Sequence, residues 1–299
     1  MKLDSFAKIN LYLSVRPKRR DNYHGITTVF ERISLKDTIT LQSRKDNLIK
    51  ISTNNKKLPC DKSNFVRQAA ELLRKKFKIT RGLNIRIIKQ VPLGSGMGGG
   101  SSNAACTLLG LNRLWKLKLS PEKLAKLGSK IGSDVPFFLY NCSFALGSGR
   151  GEKIVPWKKP NKPGFWHVIV VPQINVSTAL IYRKWDDFKG NSGKKNKYFT
   201  ELTRGKSSVK LISLALTKFD PSLLNRAISN SLEPVTESIF PEVRRIKNLL
   251  RALGAQSVMM SGSGPAVFAI VASKKEAVVL SRKISKINSF WKIFIAKTK

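Results

Sequence analysis

The segment from Gln90 to Asn103, QVPLGSGMGGGSSN, constrains the fold more than any other stretch of this 299-residue chain. Five of its residues are Gly and three are Ser. Before it, Leu83, Ile85 and Ile87 alternate with polar residues as a strand does. After it, Ala104, Leu108, Leu111 and Trp115 recur at helical spacing. The order is therefore strand, glycine loop, helix, with the helix expected to begin near Ser102. Glycine reaches positive φ and lets backbone N–H groups approach a ligand, and a helix N-terminus adds unserved donors and the positive end of its dipole. A flexible turn is the ordinary reading of a glycine run, but the position between a strand and a helix start favours a phosphate cradle. No Lys closes the loop as a Walker A motif requires, and no acidic residue follows about twenty positions on as in a Rossmann unit.

A chain of this length with 41% hydrophobic residues can bury a sizeable core in one large or two medium domains. No apolar run is long enough to span a bilayer, and the first residues pass directly into a strand pattern. A cytoplasmic protein with no membrane partner and no leader is expected. Cys60, Cys106 and Cys142 are odd in number and lack metal-ligand spacing, which argues against a disulfide framework or a zinc site. The 56 Lys and Arg against 18 Asp and Glu leave a formal charge of +38, which attracts polyanions. The basic residues are mostly Lys, lie in every segment and do not interleave with aromatics, so an anionic small molecule is expected rather than a specific nucleic acid.

Ala7, Ile9, Leu11, Leu13 and Val15 alternate as one face of a half-buried strand, which leaves Lys8 and Asn10 on the other face and Lys8 by default in solvent. Asp21 to Gly25 makes a turn, in which His24 is either a backbone-bonded turn residue or a contact, and strands follow over 26–35 and 38–41. Phe65, Ala69, Leu72, Leu73 and Phe77 form a helical stripe capped near Asn64. Ser120 and Pro121 open another helix that ends at Gly132. Asp134 stands two residues before Pro136 at the start of a short apolar element, where an Asp is normally an N-cap. The stretch 157–163, rich in Pro and Lys, is the expected domain boundary. Residues 166–171 form a strand, 179–185 a short element, 189–210 an exposed loop, and 225–232 a helix ended or kinked by Glu233 and Pro234. A helix over 243–253, two strands flanking Ser261–Gly264, a helix over 274–287 and a last strand over 290–296 complete a two-layer α+β half.

Four segments in this order, FAKINL at Phe6–Leu11, the loop Pro92–Ser102, GSDVPFF at Gly132–Phe138 and SGSGPAVF at Ser261–Phe268, resemble the GHMP small-molecule kinases. Asp21–His24 followed by Thr28–Phe30, and Asn230–Pro234, resemble the branch that uses ATP to phosphorylate the 2-hydroxyl of 4-diphosphocytidyl-2-C-methyl-D-erythritol in non-mevalonate isoprenoid biosynthesis. The resemblance runs nearly end to end. It implies an α+β, two-domain GHMP kinase fold, with a ribosomal protein S5-like ATP-binding domain over 1–160 and a ferredoxin-like α/β sandwich over 161–299, as monomer or homodimer. It implies Lys8 and Asp134 as the catalytic pair. It places ATP with Mg2+ at Pro92, Leu93, Gly94, Ser95, Gly96, Met97, Gly98, Gly99, Gly100, Ser101, Ser102 and Asn64, without a dedicated protein metal site. The acceptor falls to Asn10, Tyr23, His24, Thr178 and Tyr182. Such a pair suits phosphoryl transfer, which needs a carboxylate for the hydroxyl proton and a cation for the developing charge. Ser95 replaces a usual Gly, so the loop is strained if that position has positive φ.

Overall fold

Two long strands open the chain because an Asp-Asn turn reverses it once. β1 (Lys2–Lys18) and β2 (His24–Arg44) pair antiparallel. At the turn the Asp21 carboxylate accepts from the N–H of Tyr23 at 3.2 Å, and Asn22 takes a φ of 64°, a conformation Asn tolerates. This computed structural model describes residues 1–157, 164–190 and 200–299, apart from the side chains of 189, 190 and 200–206. The remaining elements of the first half are β3 (Ile49–Thr53), α1 (Phe65–Phe77), β4 (Gly82–Ile88), α2 (Gly99–Leu114), α3 (Pro121–Gly128), α4 (Val135–Leu139), β5 (Phe144–Ser148) and β6 (Lys153–Pro156). The second half has β7 (Trp166–Val171), α5 (Thr178–Gly190), α6 (Thr200–Lys218), α7 (Pro221–Ala227), β8 (Ser229–Asn230) and α8 (Glu233–Ile239), then α9 (Pro241–Ala252), β9 (Ser257–Met260), β10 (Val267–Val271), α10 (Lys274–Ile287) and β11 (Lys292–Lys297).

The larger sheet runs β3-β4-β2-β1-β8, with β5 also paired to β2 and β6 to β5. Its helical side is closed by α1 to α4, where Ala69, Leu73, Leu108, Leu111 and Phe137 meet Ile39, Leu41 and Ile85. The smaller antiparallel sheet runs β11-β7-β10-β9. Val168, Val170, Val267 and Ala269 pack with Val243, Ile246, Leu280 and Ile284 of α9 and α10. Ile169, Phe268 and Ile270 point the other way and cluster with Ala7, Ile9 and Leu11 of β1. Residues 7–15 of β1 are therefore covered on both faces, and the solvent-facing side expected from the alternation does not exist. The two halves also share hydrogen bonding, because β8 pairs parallel with β1 at Tyr12 and Leu13, and Thr298 bridges to Ile33 of β2.

Several expectations need correction. The strands expected over 26–35 and 38–41 are one, because Lys36 and Asp37 stay in register with β1. α2 begins at Gly99 rather than near Ser102, since Gly98 turns the chain into the helix at φ 67°. The buried side of α1 is Val66, Ala69, Ala70 and Leu73, with Leu72 and Phe77 at its margin. The helix expected over 225–232 ends at Ala227, and Glu233 with Pro234 begins α8 instead of ending a helix; Pro in a first turn forfeits no helical donor. The exposed loop expected over 189–210 is helical from Thr200, in α6, and α5 runs through Gly190; residues 191–199 lie outside the described residues. So do 158–163, which hold the expected boundary between 160 and 161. Among the described residues no helix is long and apolar enough to cross a membrane.

Candidate active site

Lys8 is 3% exposed, and its Nζ is the junction of three elements. It donates to Asn10 Oδ1 at 2.6 Å and to the carbonyl of Gly96 at 2.9 Å, and Oδ2 of Asp134 lies 3.4 Å away. A relay fixes the Asn10 amide. The Thr28 hydroxyl donates to the carbonyl of Tyr12 at 2.7 Å, so it can only accept from Asn10 Nδ2, also at 2.7 Å, and this turns Oδ1 toward Lys8. Asp134 occupies the cap position of α4 but makes no capping hydrogen bond. Its carboxylate is 31% exposed and spends its charge on Lys8 and the adjoining cavity.

That cavity holds about 390 Å³. The glycine loop forms one wall through Pro92, Leu93, Gly94, Ser95, Gly96, Gly98, Gly99, Gly100 and Ser101, and Lys8, Asn10, Asp134, Thr178 and Tyr182 line it as well. Gly94, Gly96 and Gly98 carry the positive φ values, 60°, 77° and 67°, whereas Ser95 does not, so its replacement of a glycine brings no strain. Its hydroxyl instead donates to the carbonyl of Pro92 at 2.8 Å. With glycine as the cap residue and no side-chain cap, the first N–H groups of α2 are left for a ligand on the cavity side. The φ of 67° at Gly98 favours glycine, and a Cβ there would crowd the Phe138 ring at 3.1 Å and the Lys8 side chain at 3.2 Å.

The loop is braced by the smaller sheet. The turn joining β9 to β10 places Ser261 Oγ 3.1 Å from the carbonyl of Gly96, and the N–H of Ala266 donates to the carbonyl of Ser95 at 3.2 Å. Asn230 holds that turn from behind, its Nδ2 donating to the carbonyls of Met260 at 2.9 Å and Gly262 at 2.7 Å. Thr178, at the start of α5, shares a 2.9 Å hydroxyl contact with Ser263. Ser261–Gly264 is therefore both a hairpin turn and part of the cavity.

Three of the residues assigned to ATP do not line the cavity. Met97 is fully buried under the loop, where its carbonyl accepts from the N–H of Lys8. Ser102 turns inward, donating to the carbonyl of Phe6 at 2.6 Å. Asn64 caps α1 by accepting from the N–H of Val66 at 2.8 Å, and its neighbour Phe65 is the one that reaches the cavity. Of the residues expected at the acceptor, Tyr23 and His24 do not line the cavity either; Tyr23 is 53% exposed and carries the Arg150 guanidinium over its ring, 4.6 Å from the centroid. His24 is buried, its Nδ1 donating to the carbonyl of Arg16 at 2.9 Å and its Nε2 3.3 Å from Asp186 of α5. Its ring lies 5.3 Å from that of Tyr182. Burial, and then the charge of Asp134, push the Tyr182 phenol above its ordinary value.

Sequence reasoning missed a buried pair beneath the loop. Asp37, fully buried, accepts from the N–H groups of Gln90 at 2.7 Å and Val91 at 2.9 Å, and from Asn103 Nδ2 at 2.9 Å. The ammonium of Lys89 closes the set against Asp37 and also faces the cavity. Nothing in a chain this rich in lysine marks Lys89 from a solvated one. In the sequence Asp37 falls in the break between the strands expected over 26–35 and 38–41, where an Asp draws no notice.

Two family models match the chain: GHMP kinases N terminal domain over residues 64–142, and GHMP kinases C terminal over residues 212–288. A 4-diphosphocytidyl-2-C-methyl-D-erythritol kinase of Bacillus velezensis is 42% identical over 89% of this chain and 86% of its own length. The protein of that name from Bacillus subtilis is 41% identical over the same shares. Among solved structures, a 4-(cytidine 5'-diphospho)-2C-methyl-D-erythritol kinase matches with a TM-score of 0.78 and 30% identity across 100% of both chains. A homoserine kinase from Cytophaga hutchinsonii, with a TM-score of 0.76 and 18% identity over 99% of this chain and 95% of its own, shares the fold.

Proposed function

The chain belongs to the GHMP kinase family, among its 4-diphosphocytidyl-2-C-methyl-D-erythritol kinases, and from that premise we propose that it transfers the γ-phosphoryl of ATP to the 2-hydroxyl of that acceptor between Lys8 and Asp134. The observation that carries the residue roles is the position of Lys8 Nζ, bonded to the glycine loop and beside Asp134 in one cavity. The phosphates of ATP lie along Gly94–Ser101, where the backbone approaches without side chains and α2 presents its N-terminus. The purine extends past Leu93 toward Phe65. The acceptor hydroxyl sits between Asn10 and Asp134. Asp134 takes its proton as the oxygen attacks the γ-phosphorus, the bond to the β-phosphate oxygen breaks, and ADP leaves. Lys8 stabilises charge on the attacking oxygen and the moving phosphoryl group, and its three protein acceptors hold it in place.

Mg2+ takes oxygen ligands, commonly substrate phosphates with one or two carboxylates. The cavity wall offers the Asp134 carboxylate and the Ser101 hydroxyl, which fit a metal brought by ATP. When bound it neutralises phosphate charge. Residues 1–160 are read as the ATP-binding half and 161–299 as the half that braces it, a division supported by the two sheets, with β8 of the second half crossing to pair with β1.

The test is a coupled ADP-release assay with 4-diphosphocytidyl-2-C-methyl-D-erythritol. Asp134→Asn should lower kcat by about a thousandfold in a protein that still folds, because Asp134 serves no cap and its loss costs only its pairing with Lys8. Absence of turnover by the wild type sinks the acceptor assignment. A variant within tenfold of wild type sinks the role of Asp134.

A further inference from the structure

The candidate acceptor groups fall into two sets, Tyr23 and His24 outside the cavity lining and Lys8, Asn10 and Asp134 within it, with Tyr182 lining the cavity and facing the His24 ring between them. The turn Gly149–Arg150–Gly151 touches both. The carbonyl of Gly149 accepts from the N–H of Ile26, two residues beyond His24, at 2.7 Å. At the other side the chain passes Asp134 at Gly151, whose φ of 106° favours glycine; a Cβ there would lie 3.8 Å from Asp134 Oδ1 and 3.1 Å from the end of the Ile26 side chain. Glu152 fixes the turn by accepting from the backbone N–H of Arg150 at 2.5 Å. The guanidinium of Arg150 itself lies on Tyr23, and among the described residues no carboxylate pairs with it.

A guanidinium held over a tyrosine ring by its cation–π attraction still has N–H donors to offer, in a fork that matches phosphate oxygens. The charge of Lys8 is already directed at Asp134, Asn10 and Gly96. An acceptor whose base lies at Tyr23 and whose reacting hydroxyl lies at Asp134 must lay its diphosphate across this turn, where two negative charges meet an unpaired cation. We propose that Arg150 clamps the diphosphate of the acceptor and sets specificity for a nucleoside-diphosphate-linked substrate, with Tyr23 as the platform that holds its guanidinium. This rests on the acceptor reading given above.

Arg150→Gln, with Arg150→Lys beside it, tests the clamp. The KM for 4-diphosphocytidyl-2-C-methyl-D-erythritol should rise about tenfold to a hundredfold in Arg150→Gln and less in Arg150→Lys, while the KM for ATP stays within twofold. The deciding readout is competitive inhibition against the acceptor by CDP and by cytidine. In the wild type CDP should inhibit more tightly than cytidine, and in Arg150→Gln that preference should fall at least fivefold. If both inhibitors weaken alike, Arg150 only buttresses Tyr23 and the clamp is overturned. A rise in the KM for ATP of the same size makes Arg150 a structural residue and overturns it as well. Failure of the wild type to turn over the acceptor sinks the acceptor reading and the clamp together, whereas normal wild-type turnover with an unchanged CDP preference sinks the clamp alone.

Discussion

Replacing Gly96 by Ala should damage this protein far more than replacing Gly94 by Ala, although both glycines lie in one loop and both have positive φ, 77° and 60°. The left-handed conformation costs an L-residue about 1–2 kcal/mol in either place. The surroundings separate the two. A Cβ at position 94 meets nothing within 4 Å, whereas at position 96 it would lie 2.1 Å from the carbonyl oxygen of Ser261 and 3.1 Å from that of Gly264. Those atoms are backbone, so no rotamer change relieves the clash, and the loop must part from the β9–β10 turn by about 1 Å or more. Overpacking of this kind costs about 1–3 kcal/mol. The separation also stretches the bonds from Ser261 Oγ to the Gly96 carbonyl, now 3.1 Å, and from Ala266 N–H to the Ser95 carbonyl, now 3.2 Å. Gly94→Ala should therefore cost about 1–2 kcal/mol and Gly96→Ala about 2–5 kcal/mol. At about 2 °C per kcal/mol, the Tm losses are about 2–4 °C and about 4–10 °C. Calorimetry without nucleotide is the appropriate assay, since Gly94 lines the cavity where a ligand would touch its Cβ. Gly96→Ala should also lose about a hundredfold in turnover, because the Gly96 carbonyl holds Lys8 at 2.9 Å. Equal Tm losses for the two variants, or near-normal turnover by Gly96→Ala, would refute the claim that the turn and the loop are a single braced unit.

Two further predictions concern buried titratable groups. The ammonium of Lys247 lies between Glu237, at 2.5 Å, and Glu233, whose carboxyl is raised chiefly by burial despite that partner. Lys247→Met should cost about 3–5 kcal/mol near neutral pH. A carboxyl raised on folding contributes stability below its unfolded value and loses it as pH rises through the folded one, so the deficit should shrink when melting is repeated at acid pH. A deficit independent of pH contradicts this. Burial, and then Asp4, push the Cys106 thiol up to about 12. Iodoacetamide at pH 8 should leave Cys106 untouched in the native protein, where about one thiol in ten thousand is ionised, and label it after unfolding. Its raised value favours the folded state below the usual thiol range and ceases to do so as pH rises toward 12, so wild type should lose stability relative to Cys106→Ala over that interval. Native labelling of Cys106 as fast as that of Cys60 disproves the assignment.

Much of the fold was legible because its signals are local. The glycine loop, the Ser120 and Pro121 helix start and the Asp-Asn turn each depend on backbone preferences acting within a few residues, and the structure contains all three. Glu233 and Pro234 are ambiguous in the sequence because a Pro both ends one helix and starts the next, and the pairing of Ser229 and Asn230 with β1 sets them at the start of α8. On the proposed acceptor side, the sequence offers Tyr23, His24 and Tyr182 as residue types, and the structure sets the His24 and Tyr182 rings 5.3 Å apart. The turn at Arg150 that joins them to Asp134 carries no sequence mark beyond two glycines.

By itself the sequence determined that a strand feeds a glycine loop and then a helix, and that a Lys and an Asn share one strand face. Alternation says which side chains lie together, because it follows from the two-residue period of a strand. It does not say whether that face meets water. Only the tertiary structure decided that Lys8 is buried, by laying the glycine loop over it and seating the smaller sheet on the opposite face of β1. The same packing brings Asp134, Ser263 and Tyr182 from distant segments into the cavity, where burial turns one lysine among many into a cation held in place by three acceptors.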